Sequence, residues 1–138
     1  MSFHPPSLIL IVSFHIQTQA QDLLTLLPKF CWGGKVISLT SKSGNTPWKA
    51  AAIAHPAMLD PSDATGISIP FAVLASKDEV AADVQKFSEN LEGPKVVRTF
   101  DKQIHGFMAA RGNLEDSSVL EDYQQGYQMI LEFLGNYL

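Results

Sequence analysis

Cys31, Asp78 and His105 are the residues whose types, taken together, could do chemistry. A thiolate attacks a carbonyl carbon, an imidazole carries the proton, and a carboxylate orients the imidazole. The thiol opens a tight turn, Cys31-Trp32-Gly33-Gly34-Lys35. A helix N-terminus behind it would favour the thiolate. The backbone N–H of Trp32 is then placed to receive the negative oxygen of a tetrahedral intermediate. Asp78 could also cap the helix it precedes, and Glu79 beside it is the weaker rival for the acid. His55, after a short apolar run, reads as structural or as a pocket-lining residue. Arg111 is a candidate for binding a substrate carboxylate and equally a solvated arginine. No spacing of His, Asp or Glu suggests a metal site, and no cofactor is expected.

These residues need elements to hold them. Residues 7–14 are apolar and suit a buried strand. Residues 17–27 read as a helix, or residues 23–27 as a strand, since so short a run does not decide. Pro28 is expected to end either. After the turn at Cys31, residues 36–39 predict one or two helical turns. Residues 41–47 are a loop by composition, 50–54 a strand, and 58–68 a loop. Residues 70–76 are a buried strand with proline at its first position. Val80, Val84, Phe87 and Leu91 share one helical face within residues 78–91. A strand over 96–100, a loop over 101–113 and a helix over 117–137 follow, the last burying Leu120, Tyr123, Tyr127, Ile130, Leu131 and Leu134. Alternating strands and helices predict an α/β fold: a parallel sheet with flanking helices. Asp78 and His105 then lie beyond carboxyl ends of strands, where such sheets bind ligands.

Nucleophile, acid, histidine is the chain order of an α/β-hydrolase triad. Phe30-Cys31-Trp32-Gly33-Gly34-Lys35 resembles the nucleophile elbow of the dienelactone hydrolase family, and Ala75-Ser76-Lys77-Asp78-Glu79 its acid segment. Residues 103–112, Gln-Ile-His-Gly-Phe-Met-Ala-Ala-Arg-Gly, are similar to its histidine loop in fungal-type members. The closing helix with Glu121-Asp122-Tyr123 and Tyr127 also fits. The resemblance runs from about residue 30 to 138. It implies the C-terminal half of an α/β-hydrolase fold, with a Cys31-Asp78-His105 triad hydrolysing lactones or small carboxylic esters through an acyl-thioester. The expected organisation is one domain over 1–138, with a divergent segment over 1–30 and the hydrolase-like region over 31–138.

With 138 residues, 46% of them apolar, the chain is long enough for one core. Ten Lys and Arg against 14 Asp and Glu, with no basic run, argue against nucleic acid. The single cysteine excludes an intrachain disulfide. The longest apolar run is well short of the ~20 residues that cross a membrane, and no signal peptide is recognisable, so a cytoplasmic protein is expected. A second reading competes with the enzyme: an inactive, truncated hydrolase-like fragment that associates with another chain. It rests on Lys29, where a nucleophile elbow wants a small residue, and on Pro28 in the strand before it. The association would be a homodimer through an uncovered sheet edge.

Overall fold

Every residue of Ala50–Ala54 is buried, as is every residue of Phe71–Ser76. That is the mark of strands covered on both faces. The computed structural model describes residues 26–42 and 46–137. The expected strand over 7–14, and most of the helix over 17–27, lie outside the described residues.

Strand β1 is Leu26–Phe30 and helix α1 is Trp32–Thr40. Strand β2 is Ala50–Ala54, followed by a 3₁₀ turn over Pro61–Ala64. Strand β3 is Phe71–Ser76, helix α2 is Ala81–Asn90, strand β4 is Lys95–Phe100 and helix α3 is Ser117–Gly135. The four strands form one parallel sheet in the order β1-β2-β3-β4. Parallel neighbours require crossovers: α1 joins β1 to β2, the segment with the 3₁₀ turn joins β2 to β3, and α2 joins β3 to β4.

The period of two along each strand sorts the core into two halves. Ala50, Ala52, Ala54, Ala72 and Leu74 face Phe107, Met108 and the α3 residues Ile130, Phe133 and Leu134. Ala51, Ile53, Phe71 and Val73 face Ile37 of α1 and Phe87 and Leu91 beside α2. The five-residue β2 carries four alanines, so helices approach it closely on both sides. Gly126 of α3 extends this: a Cβ there would lie 2.7 Å from Met108 Sδ.

The helical stripes need two corrections. Val84, Phe87 and Leu91 are buried, but Val80 precedes the helix and is exposed. On α3, Leu131 is exposed, and Gly126 and Phe133 take buried places instead. Pro28 does not end an element; it lies inside β1 opposite Ala52. Among the described residues β1 is an edge strand, where a missing N–H is tolerated. Lys29 is also accommodated. A Cβ on Gly33 would sit 3.2 Å from Lys29 Cβ, so Gly33 makes the room between strand and helix.

Candidate active site

Cys31 stands between the last residue of β1 and the first of α1, with φ 55° and ψ −124°. A side chain rarely adopts a positive φ, so the turn must be held from outside. It is held by β2 and its following loop. The Cys31 N–H donates to Ala54 O at 3.2 Å, and Cys31 O accepts from Ala57 N at 3.1 Å and Gly34 N at 3.1 Å. Gly34 permits this packing, since a Cβ there would meet Pro56 Cβ at 3.2 Å. Lys35 of α1 forms an ion pair with the buried Asp63, tying the loop after β2 to the same helix. The result is an exposed thiol on a fixed backbone.

The histidine comes from the loop after β4. Lys77 N–H donates to Gln103 O at 2.9 Å, joining this loop to the segment after β3. Gln103 Nε2 donates to Asp122 Oδ2 at 2.6 Å, and Tyr127 Oη donates to Met108 O at 2.9 Å, joining it to α3. Burial raises the Tyr127 phenol well above its ordinary range, keeping it protonated as a donor. Gly106, at φ 90°, turns the chain directly after His105.

Cys31 Sγ and His105 Nε2 are 3.0 Å apart. On the other side of the ring, His105 Nδ1 lies 2.8 Å from Glu79 Oε1. The carboxylate on the ring is therefore Glu79, not the expected Asp78. Asp78 instead accepts the backbone N–H of His105 through Oδ2 at 2.8 Å. Its own N–H donates to Ser76 Oγ at 3.3 Å, which turns it toward the loop backbone. The Ser76 N–H donates to Glu79 Oε2, so Glu79 is held at both oxygens. Neither is Asp78 a helix cap: α2 begins at Ala81, after Val80.

The electrostatics follow from these contacts. The hydrogen bond to His105 is the main force lowering the Cys31 thiol below its ordinary 9.0; burial opposes it, and the Trp32 N–H assists. For His105 the largest influence, burial, favours the neutral ring. The bonds to Glu79 and Cys31 outweigh it, and the net shift is upward from 6.5. A lowered thiol against a raised imidazole favours the thiolate–imidazolium pair.

Trp32 is exposed beside the thiol. Arg111 is exposed too, its Cβ, Cγ and Cδ laid against Gly106, six residues beyond His105. His55 is fully buried behind the His105 ring rather than in an open pocket. No cluster of His, Cys, Asp or Glu among the described residues could hold a metal.

The site is thus a positive-φ cysteine at a strand-to-helix turn, with a histidine on its sulfur and a carboxylate on that histidine. The profile of the dienelactone hydrolase family matches residues 27–138. The chain belongs to the dienelactone hydrolase family. The match starts within β1, slightly earlier than the motif resemblance. Two Schizosaccharomyces pombe proteins, each described as an uncharacterized AIM2 family protein, are also similar. One is 33% identical over 135 residues, covering 94% of this chain and 54% of the relative. The other is 32% identical over 109 residues, covering 75% and 43%. The chain thus spans about half the length of the curated relatives it matches. No solved structure matches significantly. No helix of this dienelactone hydrolase family chain, among the described residues, is long and apolar enough to cross a membrane.

Proposed function

We propose that the chain hydrolyses lactones or small carboxylic esters with Cys31 as nucleophile, His105 as general base and acid, and Glu79 as the orienting carboxylate. The observation that carries this reading is the unbroken line Glu79 Oε1–Nδ1 at 2.8 Å and Nε2–Cys31 Sγ at 3.0 Å. His105 takes the thiol proton, and the thiolate adds to the carbonyl carbon. The Trp32 N–H stabilises the oxyanion. Collapse breaks the acyl C–O bond, and the leaving alkoxide takes the proton from His105. Water then adds to the thioester as His105 accepts its proton; the sulfur leaves and the acid is released. Turnover of a small activated ester should vanish in Cys31→Ala and in His105→Ala. Unchanged turnover in either refutes the assignment.

Association has one observation in its favour. Trp32, Val36 and Leu39 lie along one stripe of α1 and are 62%, 37% and 50% exposed. A second copy of the chain, seated on this stripe or on the β1 edge, would remove apolar surface from water. Solution mass measures this. A dimer without esterase activity supports the inactive fragment, and an active monomer removes it.

A further inference from the structure

His55 follows β2 and is fully buried, yet neither Nδ1 nor Nε2 has a hydrogen-bond partner. Its backbone is strained as well, at φ 34°. Buried unpaired polar atoms and left-handed backbone each destabilise a fold. Both fall on one residue, one strand away from the nucleophile. The His55 ring lies 5.1 Å from the His105 ring, at 70°, edge to face. Phe30, immediately before Cys31, is 5.7 Å away, and Phe107, two residues after His105, is 6.0 Å away.

We propose that His55 is a positioning residue for His105: an uncharged ring, walled by Phe30 and Phe107, that steadies the proton-bearing His105 between Glu79 and Cys31. The proposal rests on the hydrolase reading above and extends it to how the ion pair is maintained. A neutral aromatic ring packed edge to face against an imidazolium attracts it. An aliphatic side chain would fill the space without that attraction. The contact works only while His55 is uncharged, because a second cation would repel His105. Among the described residues, the charged groups that act on it are His105 and Glu79. Burial, with the charge of His105 assisting, pushes the His55 pKa down against smaller upward pulls from its own backbone and from Glu79.

The chain has one cysteine, so alkylation by iodoacetamide reports Cys31 alone. The rate would be followed against pH in the full chain for the wild type, His55→Leu, His55→Phe and His105→Ala. Both His55 variants remove the unpaired nitrogens and fill the site, and circular dichroism verifies their folding. His55→Leu should alkylate about threefold to tenfold more slowly at neutral pH, the scale of one ring–cation contact. Its profile should move toward that of His105→Ala. His55→Phe retains a ring face and should recover at least half of the difference. A folded His55→Leu with the wild-type profile overturns the proposal, as does a His55→Phe as slow as His55→Leu. If the wild type itself titrates like His105→Ala, the thiolate–imidazolium reading falls and takes this inference with it. In the other two outcomes only the inference falls.

Discussion

Glu79 and Asp78 both bind His105, but at different atoms: Glu79 takes the ring Nδ1 and Asp78 the backbone N–H, each at 2.8 Å. Two adjacent carboxylates thus divide one task. Glu79 sets the tautomer and the plane of the ring, and Asp78 anchors the loop that carries it.

Removing each charge should separate these roles. Both Glu79 oxygens face donors, so in Glu79→Gln the Ser76 N–H takes the one remaining oxygen and the amide NH2 faces Nδ1, which imposes the wrong tautomer; kcat should drop by about 10³–10⁴, as for an orienting carboxylate in a triad. Asp78→Asn retains an oxygen for the backbone N–H, and the loss should stay within about tenfold, one weakened hydrogen bond. Steady-state rates on an activated ester measure both. The reverse order would return the acid role to Asp78.

The pH response follows from the two opposed shifts. Cys31 lies below 9.0 because His105 bonds to its sulfur, and His105 lies above 6.5 because Glu79 and Cys31 outweigh burial. The His105 contribution to stability is present below pH 6.5 and is lost as pH rises through its raised folded value. The Cys31 contribution is present above pH 9.0 and is lost as pH falls through its lowered folded value. Thiolate ultraviolet absorbance should therefore appear below pH 9.0 in the wild type, and its midpoint should move up toward 9.0 in His105→Ala.

Gly106 tests the loop itself. At φ 90° an added Cβ is strained, and it would also meet Arg111 Cδ at 3.0 Å. Gly106→Ala should lower stability by about 1–2 kcal/mol, the penalty of left-handed backbone for a residue with a Cβ. Because this residue follows His105 directly, kcat should fall more than the folded population does. Thermal melts alongside kcat separate the two effects.

Phe87 provides the opposite case. It is fully buried against Phe71, with ring centroids 6.0 Å apart, on the face of the sheet away from α3 and the histidine loop. Phe87→Ala should lower stability by about 3–5 kcal/mol through the cavity it leaves. Below the melting temperature kcat should remain near wild type. Urea denaturation with activity measured in the native baseline checks both halves.

Continuous apolar runs marked β2 and β3, which are covered on both faces, and helical spacing marked α2 and α3, where burial on one face forces a period. The residues that meet at the site were mostly legible too, since Cys31 opens a turn and His105 follows a strand. Which carboxylate serves the ring was not. Asp78 and Glu79 are neighbours of the same chemistry, and only the approach of the loop after β4 decides that Glu79 meets the His105 ring and Asp78 its backbone N–H. The same limit applies to Lys29, whose bulk at the elbow is harmless because Gly33 lies opposite it. His55 read as structural or pocket-lining from its place after an apolar run, but its contact with the His105 ring was not legible. Residue type and spacing are properties of the local chain, whereas these three outcomes depend on how the chain turns at Cys31 and on which segments the parallel sheet brings side by side.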